Sequence, residues 1–223
     1  MGGRGSEVAS GKPAQFDVVP TLRRPAPQLG RRARQTIDRI LDATRAVFLA
    51  QGYGGTSIDD IARRAGISRA SFYTYFPTKR DALLALGADA TNGAERLVDQ
   101  LGALGRAPDV DAIVTWVENY FAFLDDYGSF VLAWQQAAYE DDELRAAGTK
   151  YHLMTCRHLG EQLDALRACR RGDPTSQGLL VFSMLERAWS QSRLYEGVLD
   201  AADVCANAAL VIAALLSNSA PDR

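Results

Sequence analysis

Between Thr56 and Lys79 the sequence gathers side chains suited to holding a phosphate backbone. Thr56, Ser57, Ser68, Ser71 and Thr74 supply hydroxyls, Tyr73 and Tyr75 supply phenols, and Arg69 and Lys79 supply cations, all within one short stretch. Such groups hydrogen-bond to phosphate oxygens. The patterns that bond-breaking chemistry needs are missing: the chain has no nucleophile elbow, no phosphate loop and no HExxH. His152 and Cys156 stand four apart and would share a helix face, but His158 does not extend that face, and two ligands are too few for a zinc site. The run Glu140-Asp141-Asp142-Glu143 suits a helix start, where acids complement the helix dipole. No metal, no cofactor and no enzymatic activity is expected; a helical enzyme and a cysteine redox sensor are the weaker alternatives.

The elements that must position these groups are legible around them. Thr56 and Ser57 each precede an acid, Asp59 and Asp60, by three residues, which marks a helix start. Ile58, Ile61, Ala62 and Ala65 form its apolar face, Gly66 ends it, and Ser68 caps a second helix, Arg69 to Phe76, that stops at Pro77. Two short helices joined by a tight turn, with Ile61, Ala62, Ala65, Ile67, Phe72 and Phe76 as a shared core, read as a helix-turn-helix. The second helix then turns Arg69, Ala70, Ser71, Tyr73, Thr74 and Tyr75 outward. A major groove about 12 Å wide admits such a helix, and Ala70 and Ser71 are small enough for close approach. Thr78 and Lys79 open the next helix, whose free N–H groups also favour a phosphate.

Charge follows the same division. The net charge is -2, yet residues 1–81 carry 14 Lys and Arg against 7 acids, and the remainder carries 11 against 20. A basic first third followed by an acidic body points to a polyanionic partner for the first part alone. Arg63 and Arg64 suit either phosphate contact or a solvated helix face, and Arg23, Arg24, Arg31 and Arg32 suit a general electrostatic contribution.

The run AGISRASFYTYFPTK resembles the TetR-family signature at Ala65, Gly66, Ser68, Tyr73, Tyr75, Phe76 and Lys79, with Thr56 and Ile61-Ala62 also matching. It departs at Ala70, where the family usually has Gly, at Phe72, where Leu is common, and at Arg80, where an acid is usual. The resemblance covers residues near 31–86. It implies an all-α protein of about nine helices that binds palindromic double-stranded DNA as a homodimer. The implied activity is that of a repressor released by a small effector; an activator or an effector-independent regulator fits the same residues.

The expected division is a mobile basic tail over residues 1–30, a helix-turn-helix domain over 31–80, and a ligand-binding and dimerisation domain over 81–223. The first helix begins at Arg31, and glycines 52, 54 and 55 end it. Further helices are expected over Asp109–Tyr127, Ser129–Ala138, Glu140–Arg171, Pro174–Tyr195 and Asp200–Ser217. By the resemblance the last two pair with a second chain, the final one through Val204, Ala208, Leu210, Val211, Ala214 and Leu215. The resemblance also implies a cavity among the middle helices. Trp116, Tyr120, Phe123, Phe130, Trp134, Met154, Phe182 and Trp189 are its candidate lining. Trp116, Tyr120 and Phe123 fall on one helix face, a pattern that also serves a core. The segment Phe182–Tyr195 resembles an actinobacterial-type subgroup with an apolar tunnel, which implies a small hydrophobic effector; few cationic residues fall on the aromatic stripes, so no strongly anionic ligand is expected. Three cysteines without CxxC spacing, no long apolar run and no leader-like start predict a cytoplasmic protein with no membrane partner.

Overall fold

A computed structural model describes residues 30–167 and 172–217. The expected mobile tail before Gly30, Cys169 and the helix end expected at Arg171 lie outside the described residues. The rest forms eight helical elements: α1 (Arg31–Gly55), α2 (Ile58–Ala65), α3 (Arg69–Tyr75), α4 (Lys79–Ala103), α5 (Val110–Glu140), α6 (Asp142–Arg167), α7 (Pro174–Leu194) and α8 (Ala201–Leu216). Among the described residues the only extended pairing is an isolated bridge between Glu196 and Leu199. Among the described residues no helix is long and apolar enough to cross a membrane.

Side chains two or three residues from their partners fix the helix starts. Ser57 and Asp60 close a capping box on α2, as do Thr78 and Asp81 on α4. Ser68, Asp109, Asp173 and Asp200 cap α3, α5, α7 and α8. Gly52 and Gly66 take left-handed φ of 69° and 64°, which breaks α1 before its last turn and ends α2.

One expected boundary is absent. The break between Tyr127 and Ser129 does not occur, and α5 runs on through Gly128. A Cβ on Gly128 would lie 2.1 Å from the Trp189 ring, so this glycine is a landing place for α7 and not a stop.

Three apolar clusters hold the helices. Ile40, Ile61, Phe72, Phe76 and Ala82 bind α1 through α4 around the helix-turn-helix. A larger core joins α4 to α8 through Leu101, Val117, Leu124, Leu159, Leu185 and Ile212. Phe48, Leu83, Leu86, Ala133, Ala137 and Leu144 form a third cluster between the two. It draws on α1, α4, α5 and α6, so neither half closes its core alone. Burying each such large side chain stabilises by roughly 1.5–3 kcal/mol before entropy is counted.

Candidate functional site

Helix α3 divides sharply. Phe72 is 0% exposed, and Phe76 just beyond the helix is 1% exposed. Ser68, Arg69, Ala70, Tyr73 and Thr74 face solvent, and Ser71 is half-buried. Tyr75 differs from the expectation: it is half-buried and packs on the helix-turn-helix core, so only its edge is free. Arg69 reaches Asp59 on α2 at 3.0 Å and the Tyr73 hydroxyl at 3.2 Å, which holds both side chains on one surface. The Thr74 hydroxyl donates to Ala70 O, and Ser68 Oγ accepts from Ser71 N.

Two expected contact residues turn inward instead. Thr56 is 4% exposed and its hydroxyl donates to Gly52 O at 2.7 Å, so it ties the bend of α1 to α2. The Lys79 ammonium donates to Tyr53 O at 2.8 Å and Thr56 O at 2.9 Å and lies 4.5 Å over the Tyr53 ring. Its charge meets carbonyls at the end of α1 and not the open surface. The Ser57 hydroxyl is exposed but committed to Asp60. What remains facing outward is α3 with Arg63 and Arg64 beside it. Sequence reading missed Arg39, which donates to Ala65 O and Gly66 O and closes the C-terminus of α2 from α1.

The second site is a partly open cavity of about 280 Å³ lined by α4, α5, α6 and α7. Five of the eight expected lining residues meet there: Tyr120, Phe123, Phe130, Trp134 and Phe182. Three do not. Trp116 is 3% exposed in the main core and donates to Leu97 O at 2.7 Å. Trp189 fills the space over Gly128 and donates to Asp125. Met154 points outward at 41% exposure.

The opposite wall was missed because it is made of small residues. Leu84, Gly87, Ala90, Thr91 and Ala94 of α4 face the aromatic rings. A Cβ on Gly87 would come 3.1 Å from Phe130, and one on Gly148 would come 2.2 Å from Trp134. The polar lining includes His152, Thr155 and Glu186. Burial pushes the Glu186 carboxyl up to about 7 and lowers His152. The spacing of four between Phe182 and Glu186 was the sequence signal for that acid. His152 and Cys156 approach to 3.5 Å, with burial and the Glu186 charge raising the thiol to about 12. Among the described residues no group of three or more His, Cys, Asp or Glu is placed to hold a metal ion.

Cavity and helix-turn-helix are joined through α5. Trp134 and Gln135 line the cavity, and Gln136 accepts from Tyr53 N at 3.1 Å at the bend of α1. Arg80 on α4 pairs with Asp141 at 3.3 Å and Glu143 at 2.8 Å. This gives the unusual arginine a partner, and Asp141 also accepts from the first N–H groups of α6.

A capped, compact helix-turn-helix with an outward second helix stands on a body that is helical among the described residues. Residues 40–86 match the family model described as bacterial regulatory proteins, tetR family, so this N-terminal segment is similar to that family's DNA-binding domain. The chain is 34% identical over 93 residues to the uncharacterised HTH-type transcriptional regulator TtgW of Pseudomonas putida, covering 42% of this chain and 63% of that one. The chain thus spans less than two thirds of the length of the curated relatives it first matches. Among solved structures it is similar to reduced NemR of E. coli, with TM-score 0.65 and 18% identity over 83% of this chain and 100% of that one. It is also similar to FadR of Bacillus subtilis in complex with stearoyl-CoA, with TM-score 0.62 and 16% identity over 79% and 97%. These two likenesses show the fold. The family match ends at residue 86, so the subgroup resemblance near Phe182–Tyr195 rests on sequence alone.

Proposed function

We propose that this protein is a cytoplasmic transcriptional repressor that binds palindromic operator DNA as a homodimer and lets go when a small hydrophobic molecule enters the cavity. The observation that carries this reading is the division of α3: Phe72 and Phe76 bury one side while Arg69, Ala70, Tyr73 and Thr74 present the other. An outward helix of small and hydrogen-bonding residues fits a major groove, with Arg69 released from Asp59 to meet a base or phosphate. The working division runs near residue 80, with α1–α3 reading DNA and the rest sensing and pairing.

Dimerisation is supported by apolar side chains left exposed on α7 and α8. Leu180, Leu194, Leu210, Val211 and Leu215 are between 41% and 71% exposed, a larger apolar surface than a solitary chain favours. Ala208 turns into the chain's own core, so the pairing face is carried by its outward neighbours. A two-fold axis through these helices would set two copies of α3 on one face of the duplex, about 34–36 Å apart.

Release would work through α4 and α5, both of which line the cavity and reach the helix-turn-helix. A ligand that separates Trp134 from Gly87 and Gly148 would shift Gln136 against Tyr53 and alter the spacing of the two recognition helices. Coupling of this type is typically about 1–3 kcal/mol.

The test is selection of sheared genomic DNA on the purified protein, followed by sequencing and affinity measurement on the recovered site. An Arg69→Ala/Tyr73→Ala variant is run in parallel, both residues being exposed. The expected result is a two-fold symmetric site whose affinity falls about 10- to 100-fold or more in the variant, at unchanged melting temperature. Weak retention of the same unrelated DNA by both proteins would overturn the reading.

A further inference from the structure

The cavity's polar groups are unevenly signed. Its rings and small residues surround one carboxyl, that of Glu186, and its described lining includes no lysine or arginine. Among the described residues Glu186 has no hydrogen-bond or ion-pair partner, and burial alone pushes it up to about 7. The titratable groups facing it from α5 and α6 are Tyr120, Tyr151, His152 and Cys156. Burial favours the neutral forms of Tyr120, His152 and Cys156. Beyond Thr155, whose hydroxyl donates to Glu95 at 2.5 Å, Glu95 is already paired with His158 at 2.6 Å. None of these neighbours supplies a cation to Glu186.

We infer that the effector is an apolar molecule bearing one basic nitrogen, whose ammonium pairs with the Glu186 carboxylate while the aromatic rings enclose its body. This deepens the proposed function and rests on its reading of the cavity as the effector site. Glu186 is half-buried; a partly desolvated carboxylate without a partner carries a cost that the empty protein already bears, so a cation gains an ion pair with little further desolvation of Glu186. Ring faces attract the same ammonium. A carboxylate ligand would meet only repulsion from Glu186.

The pair also moves a proton. An alkylamine, with a pKa near the lysine value of about 10, enters as the cation. It forces Glu186 to ionise, and the displaced proton passes to solvent. Affinity for the amine therefore rises with pH up to about 7 and levels off above it.

Isothermal titration of the full chain with phenylbutylamine, phenylbutanol and phenylbutyrate tests this, since the three share one apolar body. At pH 8 the amine is expected to bind about tenfold or more tightly than the alcohol, and the acid most weakly. Glu186→Gln is expected to abolish the amine's advantage and leave the alcohol unchanged. Below pH 7, titrations in buffers of different ionisation enthalpy are expected to show proton release with the amine alone. Equal binding of amine and alcohol by the unaltered protein, or an amine preference that survives Glu186→Gln, overturns the inference while keeping the cavity as a ligand site. Failure of all three to bind overturns the cavity reading, and this inference with it.

Discussion

In the helix-turn-helix half, helix starts are fixed by partners three residues away, as in Ser57 with Asp60, Ser68 with Ser71 and Thr78 with Asp81. In the cavity half the deciding contacts join residues far apart in sequence: Trp189 over Gly128, Trp134 over Gly148, Gln136 at Tyr53. The first half presents polar groups on a small core of its own, and the second surrounds a space lined by rings and one unpaired acid. The outward surface of the first half is built from local rules that leave little freedom. The cavity of the second half is built from long-range packing.

The comparison breaks first if the halves prove to be separate folding units. Phe72→Ala removes a ring that is 0% exposed and is expected to cost about 3–5 kcal/mol. Because Phe48, Leu83, Leu86, Ala133, Ala137 and Leu144 form a core common to both halves, the loss is expected in one cooperative transition. Urea denaturation followed by circular dichroism and by tryptophan fluorescence checks this, all three tryptophans lying in the cavity half. Coincident curves keep the halves coupled. An early circular dichroism transition with unmoved fluorescence would separate them.

The same contrast explains what could be read in advance. The two short helices, the turn at Gly66 and the burial of Ile61, Phe72 and Phe76 follow from caps and periodicity, and the structure has all of them. Thr56 and Lys79 were legible as present but not as inward, because their partners are carbonyls at the end of α1 whose position depends on the Gly52 bend. In the cavity half, periodicity put Trp116 on the same face as Tyr120 and Phe123 but could not tell core from cavity. That distinction belongs to the facing helix: Trp116 donates to Leu97 O in the core, whereas Phe123 stands against Gly93 and reaches the open space. Periodicity likewise assigns no role to Gly87 and Gly128, whose missing side chains make room for Phe130 and Trp189.

The two halves should also answer oppositely to pH. Glu186 is raised by burial from 4.5 to about 7, so its contribution is fully present below 4.5 and is lost as pH rises through 7. Glu186→Gln removes that slope. Relative to the unaltered protein, the variant is expected to gain stability of order 1–3 kcal/mol between pH 5 and pH 8. Denaturation midpoints at the two pH values measure it. His158, raised by its hydrogen bond to Glu95, titrates in the same direction but is present in both proteins and cancels. Parallel pH profiles would mean that Glu186 finds a partner in solution.

The helix-turn-helix half carries the opposite sign at Asp60, which the hydrogen bonds from Ser57 hold below 3.8. Its contribution is present above that value and is lost as pH falls through the lowered one. Ser57→Ala removes both the acceptor for Asp60 N and one donor to the Asp60 carboxylate. The expected cost is about 1 kcal/mol near neutral pH, shrinking on acidification as the remaining carboxylate contacts are protonated. An isolated helix as short as α2 does not persist in water, so the loss should appear as faster amide exchange over Ile61–Ala65 as well as in the global midpoint. Ser57 and Glu186 belong to different halves and have no common partner, so the two substitutions are expected to add. Coupling between them would mean that the cap of α2 and the cavity sense one another even without ligand, and the contrast between a locally fixed half and a packed half would then hold for construction but not for energetics.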